Sequence, residues 1–258
     1  MSRLRTAHYT LLISASIFNV KKIIITQSNY IPWKGYFDAI HLVDELVLYD
    51  DMQYTRRDWR NRNQIKTPQG LQWLSVPVEV KGKFFQKIKD TRISEPDWGH
   101  KHWLTLKHNY SKSPFWALYS ETLENMYHKS YDTLSELNRI FIEQINIWLG
   151  IDTRIRWSSE FQLAEDRNER LIQICMQAGA SDYFSGPAAQ AYMDVDAFRS
   201  AGIQVHWLNY AGYPEYPQLH GAFTHGVTVL DLLFQTGADA PKFLKSYTHP
   251  EQLFDTAI

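Results

Sequence analysis

The chain has 258 residues, a formal net charge of -1, 44% hydrophobic residues and 21% charged residues. These values are typical of a globular α/β protein that is large enough to bury a substantial core. Because no global charge favours DNA or an acidic membrane, any anion binding must be local, and we predict no nucleic-acid partner. The single cysteine, Cys175, excludes a disulfide framework and a cysteine zinc site. This cysteine usage fits a reducing cytoplasm, where we predict the protein to be. No H-E-x-x-H motif occurs among the ten histidines, and we predict no metal site.

The first twenty residues combine a mildly basic start with a short apolar run that Ser and Asn interrupt. This pattern is a poor secretion signal. We predict that residues 1–20 are a leader, disordered or non-essential, and that residues 21–258 form one domain. No apolar run approaches the ~20 residues of a membrane span.

Residues 21–51 predict a strand, a helix and a second strand. KKIIITQS is short, continuous and β-branched, YFDAIHLVD has helical spacing, and ELVLYDD reads as the next strand. Such a crossover implies parallel strands. The standard dinucleotide and P-loop signatures are absent from the sequence.

The segment of about 64–150 predicts an insertion. Residues 64–93 favour antiparallel extended structure, with a turn at Pro-Gln-Gly and a short strand near Ile88 to Ile93. Residues 97–150 favour helices, the last of which ends at Gly150.

A second α/β run follows. We expect strands at DTRIRWSSEF, DYFSG and IQVHWLNY, separated by helices at NERLIQICMQAGA and PAAQAYMDVDAFRSAG, and a last helix at TVLDLLFQTGADAPKFLKSY with a break at glycine. The predicted fold class is α/β: a parallel Rossmann-like sheet with helices on both faces, plus the inserted antiparallel-strand and helical segment.

Ligands of open parallel sheets bind beyond the carboxyl ends of the strands. Here those ends carry Gln27, the adjacent Asp50 and Asp51, and the pair Ser185-Gly186. An aspartate could act as a Mg²⁺ ligand or general base, or could simply shape a turn. Ser185-Gly186 could present backbone N–H groups to a phosphate, or could be an ordinary helix cap.

The stretch DDMQYTRRDWRNRN contains four arginines and no lysine. Arginine grips phosphate or carboxylate with two parallel hydrogen bonds, and Trp59 can stack on a guanidinium or a ring. We therefore predict an anionic small-molecule site, with a phosphate-bearing substrate such as a nucleotide sugar as partner. His108, near the end of a predicted helix, is a candidate general acid or base.

The sequence resembles the WbqC-like family in four segments: ITQSNYIPWKGYFDAI, VLYDDMQYTRRDWRNRNQIKTPQGLQWLSVPV, DYFSGPAAQAYMDVDAFRSAGI and TVLDLLFQTG. The resemblance implies a role in bacterial O-antigen or other surface-polysaccharide biosynthesis. It also implies transfer of glycine or another small acyl group to an amino sugar. It supplies no catalytic residues, so the site residues rest on the arguments above.

We accordingly predict a transferase that modifies a nucleotide-linked amino sugar. The candidate catalytic residues are Asp50, Asp51 and His108. The predicted substrate-binding residues are Gln27, Tyr30, Trp33, Gln53, Arg56, Arg57, Trp59, Arg60, Asn61, Arg62, Asn63, Ser185, Gly186 and Tyr192. The donor stays open between ATP with Mg²⁺ and an acyl-CoA. The alternatives are a non-catalytic nucleotide- or sugar-binding subunit and a nucleotidyltransferase, and the oligomeric state is open.

Overall fold

The computed structural model describes residues 20–257, so the predicted leader, apart from Val20, lies outside the described residues. Within this range the strands, in chain order, are β1 (Lys22–Thr26), β2 (Glu45–Leu48), β3 (Arg62–Thr67), β4 (Gly70–Ser75), β5 (Arg154–Trp157), β6 (Asp182–Ser185), β7 (Gln204–Leu208) and β8 (Phe254–Thr256). The α-helices are α1 (Lys34–His41), α2 (Trp98–Tyr110), α3 (Trp116–Tyr127), α4 (Leu134–Leu149), α5 (Arg167–Ala178), α6 (Val195–Ser200), α7 (Val229–Thr236) and α8 (Lys245–Thr248).

Six strands form one sheet in the order β5-β2-β1-β6-β7-β8. Every neighbouring pair is parallel except β7 and β8, which are antiparallel. The two α/β runs therefore share one sheet, and the predicted fold class is confirmed. The antiparallel edge strand β8 was not predicted because its three residues, Phe-Asp-Thr, are too short to show a hydrophobic period.

Side chains alternate between the two faces of the sheet, as the period of two in a strand requires. On β1, Ile24 joins the larger hydrophobic core, which also contains residues of α1, α4 and α7. Its neighbours Ile23 and Ile25 join the smaller core with residues of α5 and α6. Both faces of the sheet are thus covered, which explains why β1 reads as a continuous apolar run.

Residues between β2 and β5 contain the β3–β4 hairpin and the helices α2, α3 and α4. The hairpin turns at Pro68 and Gln69, as the turn chemistry predicts. The predicted strand near Ile88 to Ile93 is wrong: Ile88–Asp90 is a 3₁₀ turn. No one strand pairs with the segment along its length. The Ile88 N–H donates to the Met52 carbonyl, whereas Arg92 pairs with Thr133 and Ile93 pairs with Val78.

Two predicted helices are divided. A 3₁₀ turn at Pro187–Ala191 precedes α6, which begins anew where Asp194 accepts a hydrogen bond from the Ala197 N–H at 3.1 Å. The last helix breaks at Gly237, whose φ is +57°. A Cβ on Gly237 would lie 2.4 Å from the Phe115 ring, so this close approach requires glycine. Among residues 20–257, no helix is long and apolar enough to cross a bilayer.

Candidate functional site

A cleft of about 840 Å³ opens at the carboxyl ends of β1 and β6. After β1 the chain builds the sheet outward through β2 and β5, and after β6 it builds the other way through β7. The crevice between β1 and β6 is therefore the topological switch point, where open parallel sheets bind their ligands. Six of the predicted substrate-binding residues line this cleft: Gln27, Gln53, Arg60, Ser185, Gly186 and Tyr192.

Three arginines reach the cleft from separate segments of the chain. Arg60 comes from the loop after β2, and its Nη1 donates to Asn29 Oδ1 at 2.7 Å. Arg170 on α5 is held by the backbone oxygens of Ala164 (2.5 Å) and Glu165 (2.6 Å). Arg167 is exposed and lies 4.5 Å from the centre of the Tyr192 ring. With Glu165 as the acidic side chain of the lining, the cleft carries an excess of positive charge.

Tyrosines form much of the remaining wall. Tyr36 donates from Oη to the Gln27 carbonyl at 3.2 Å, and Tyr49 lies 3.4 Å from Arg170 Nη1. Burial raises the pKa of both phenols, which keeps them neutral and able to donate. Tyr210 completes the wall and also faces a second pocket.

The second pocket, of about 320 Å³, lies beside the cleft and is lined by Asn29, Pro32, Trp33, Trp59, Asn63, Tyr210 and Gly226. It shares Tyr210 with the cleft, and Asn29 connects it to Arg60. The predicted residues Trp33, Trp59 and Asn63 therefore line this pocket. Aromatic walls of this kind suit the faces of a sugar or base ring.

The loop leading into Trp33 is strained and supported from beneath. Ile31 has φ +37°, which is unfavourable for a β-branched residue. The buried Asn63 side chain donates to the Ile31 carbonyl at 2.8 Å and to the Tyr30 carbonyl at 3.3 Å. Asn63 thus holds the strained turn that positions Trp33.

Tyr30 lies in the core. Its hydroxyl is hydrogen-bonded to His102 Nδ1 and to the Tyr127 hydroxyl, each at 2.8 Å. Asn61 donates to the Val76 carbonyl at 2.8 Å, which ties the loop to the end of β4. Both residues support the loop around the pockets, and their predicted substrate contacts stay predictions.

Only Arg60, of the four predicted arginines, lines the cleft. Arg56 donates to the Val80 carbonyl at 2.6 Å. Arg62 donates to the Arg57 carbonyl and stacks 4.1 Å above the Trp73 ring. Arg57 is exposed, with φ +57°. The exclusive use of arginine in this stretch therefore also serves carbonyl contacts and ring stacking.

Asp50 joins three segments of the chain. Its Oδ1 accepts from the Ser28 N–H at 2.8 Å, and its Oδ2 accepts from the Ser135 hydroxyl on α4. The residue is 1% exposed, and burial raises its pKa against the opposing effect of these hydrogen bonds. These contacts give Asp50 a supporting role, and its part in the chemistry stays a prediction.

Asp51 accepts a hydrogen bond from the Ser158 hydroxyl at 2.8 Å. Lys89 Nζ lies 2.5 Å and Lys87 Nζ 3.5 Å from its Oδ1. Burial alone would raise the pKa of Asp51, but the contacts of Lys89 and Ser158 outweigh it and hold the pKa below its usual value. Mg²⁺ needs free carboxylate oxygens and room for several waters. The two lysines beside Asp51, and the hydrogen bond that each Asp50 oxygen already accepts, do not fit that ion.

Ser185 and Gly186 follow β6 directly and line the cleft. Gly186 is also the cap of the short 3₁₀ turn, so it fits both of the predicted alternatives. His108 is exposed on α2 and is not among the residues that line the cleft. Its acid–base role stays a prediction.

Five residues that line the cleft were not predicted from the sequence: Arg167, Arg170, Tyr36, Tyr49 and Tyr210. Arg167 and Arg170 did carry a signal, because α5 follows a strand and its first turn must lie at the carboxyl edge of the sheet. Arginines in the first turn of a helix also oppose the helix dipole. Arginines at these unfavourable helix positions indicate that their charge serves a function other than stabilisation of the helix.

Comparison with known proteins agrees with the sequence motifs. The model of the WbqC-like protein family matches residues 27–243. "Uncharacterized protein Rv1507c" of Mycobacterium tuberculosis (strain ATCC 25618 / H37Rv) is 50% identical over 227 residues, which cover 88% of this chain and 98% of that protein. No solved structure matches the chain. The match over residues 27–243 shows that the chain belongs to the WbqC-like protein family.

Proposed function

We propose that the protein is a transferase that binds a nucleotide-linked amino sugar and modifies it during synthesis of a bacterial surface polysaccharide. The observation that carries this proposal is the convergence of Arg60, Arg167 and Arg170 on the switch-point cleft. A diphosphate carries the charge and oxygen geometry that guanidinium groups recognise. The resemblance to proteins associated with O-antigen gene clusters supplies the pathway.

The dimensions of the two pockets support a substrate with several parts. A cleft of about 840 Å³ lies within the range of small-molecule sites and could hold the nucleotide. The adjoining pocket of about 320 Å³, with Trp33 and Trp59 as walls, could hold a sugar ring. Tyr210 borders both pockets, and we assign the two pockets to parts of one ligand.

The reaction we propose is acyl transfer to the sugar amine. The amine nitrogen bonds to the carbonyl carbon of an activated acyl group, the bond to its thiolate or phosphate leaving group breaks, and the amine loses a proton. The neutral phenols and the fixed guanidinium groups of the cleft are suited to orient the substrate and to stabilise the developing negative charge.

Calorimetric titration with UDP- and dTDP-linked amino sugars tests the substrate. Arg167→Ala is the informative variant, because this side chain is exposed and stacks only on Tyr192. We expect its dissociation constant to rise about tenfold or more, since a hydrogen bond to a charged group contributes ~1.5–3 kcal/mol.

Arg199→Ala is the matched control. Arg199 is also an exposed helical arginine, on α6, and it pairs with Asp196 at 2.5 Å, outside the cleft. We expect this variant to bind like the wild type. Failure of all nucleotide sugars to bind, or equal affinity of the Arg167→Ala variant and the wild type, would contradict the proposal.

A further inference from the structure

A tight turn beside the cleft presents two phenylalanines to solvent. Lys83 to Gln86 form this turn, closed by the hydrogen bond from the Gln86 N–H to the Lys83 carbonyl at 3.3 Å. Phe84 and Phe85 occupy its two central positions and are 71% and 82% exposed. Their rings meet edge to face, with centroids 4.9 Å apart. Exposed large apolar side chains placed together indicate an interaction site.

The aromatic turn, residues 83–86, is fixed to the body of the protein through Phe84 and through its C-terminal end. The Tyr54 N–H donates to the Gln86 carbonyl, and the Ile88 N–H donates to the Met52 carbonyl, both at 2.9 Å. The Gln53 side chain donates to the Phe84 carbonyl at 2.8 Å, and Gln53 also lines the cleft. The backbone that carries the two rings is therefore fixed at the rim of the cleft.

Positive charge surrounds the aromatic turn. Lys81, Lys83, Lys87, Lys89 and Arg92 lie within the segment KGKFFQKIKDTR. Lys83 pairs with Glu79, and Lys87 and Lys89 face Asp51. Glu79, Asp51 and Asp90 together balance three of the five basic charges, which leaves an excess of two positive charges. The chain as a whole has a net charge of -1, so this excess is local.

We propose that the aromatic turn docks the protein on an anionic lipid bilayer. Two apolar rings at the apex of a protruding turn can enter the headgroup region, while flanking lysines keep their ammonium groups at the surface. Positive charge is complementary to the anionic lipids of a cytoplasmic leaflet. Docking in this orientation brings the rim of the cleft to the membrane.

A lipid surface fits the turn better than a protein partner does. Both rings are exposed over most of their surface, so a protein partner would have to provide a groove that encloses them. A bilayer adapts to the apex and supplies both an apolar layer and negative charge. The inference does not depend on the identity of the substrate in the cleft.

Vesicle co-sedimentation of the full chain tests the proposal. Wild-type protein should sediment with vesicles of phosphatidylglycerol mixed with phosphatidylcholine, and added salt should weaken this binding. Phe84→Ser combined with Phe85→Ser should lower the partition coefficient by at least about tenfold. Lys81→Glu should lower it on the mixed vesicles and leave binding to pure phosphatidylcholine unchanged.

Leu118→Ser combined with Ile147→Ser is the matched control, because these helical side chains are also exposed (62% and 70%) and apolar. This variant should bind vesicles like the wild type. If the double phenylalanine variant fails to fold, Phe85→Ser alone serves, since the side chain of Phe85 contacts solvent and Phe84.

Four results would overturn the proposal. The wild type could fail to bind the mixed vesicles at low salt. The phenylalanine variants could bind as well as the wild type, or the control could lose as much as they do. Light scattering could also show that the wild type is a dimer and that the phenylalanine variants are monomers, while the variants still bind vesicles like the wild type.

Discussion

Replacement of Asp50 tests whether this buried carboxylate holds the strand ends beneath the cleft. In Asp50→Ala, the Ser28 N–H and the Ser135 hydroxyl lose their acceptor, and all three residues are at most 3% exposed. Each buried donor without a partner costs ~1–3 kcal/mol, and removal of the buried Asp50 carboxylate offsets part of this loss of stability. We therefore expect the free energy of unfolding to fall by about 3 kcal/mol.

Asp50→Asn separates this supporting role from charge. The amide oxygen can still accept from Ser28, and the amide nitrogen can donate to the Ser135 hydroxyl oxygen. Burial raises the pKa of Asp50, so its contribution to stability is fully present below its unfolded pKa and is lost as the pH rises through its folded pKa. The asparagine variant does not titrate, so its stability relative to the wild type should improve as the pH rises through that range.

Urea denaturation followed by circular dichroism at several pH values measures these differences. Asp196→Ala is the control, because that side chain is 86% exposed and should change stability by less than about 0.5 kcal/mol. A loss in Asp50→Ala no larger than in this control would refute the reasoning. Turnover in a folded Asp50→Asn variant would also show that the carboxylate is not a catalytic base.

Three further predictions concern Arg60, His102 and Gly99. Arg60→Ala should abolish turnover and leave the protein folded by circular dichroism; retained turnover would remove this arginine from the mechanism. Burial lowers the pKa of His102 to about 4, so the wild type should lose stability as the pH falls from 6.5 towards 4; an equal slope in His102→Gln would contradict this. Gly99→Ala should lower the melting temperature, because the new Cβ would lie 2.1 Å from the Tyr127 carbonyl oxygen. Gly186→Ala, which meets open space, should not, and equal melting temperatures of the two variants would contradict the steric argument.

Local pattern was sufficient to predict most of the central sheet. The β-branched run of β1 and the strand–helix alternation before β7 indicate covered parallel strands, and the structure contains them. The segment from Ile88 to Ile93 also reads as a strand, but no partner strand lies beside it. Whether an extended segment becomes a strand depends on its neighbour in space, which a local pattern does not contain.

The candidate site was likewise predicted only in part. The rule of strand ends predicted Gln27, Ser185 and Gly186, because topology alone brings them to one edge. The arginine-rich stretch predicts one anion-binding site, yet Arg56 and Arg62 donate hydrogen bonds to backbone carbonyls. Side-chain direction in a loop depends on tertiary contacts, so composition could locate the charge but not its orientation.

The position of β1 in the sheet affects how the protein can fold during synthesis. One partner of β1 is β2, which follows directly, but the other is β6, and the hydrogen bond between Lys21 and Ser181 spans 160 residues. At ~5–20 residues per second, a ribosome needs roughly 10–30 s to make that interval. During this time the central strand has one open edge, so the nascent chain presents an unpaired, aggregation-prone strand until its second half emerges.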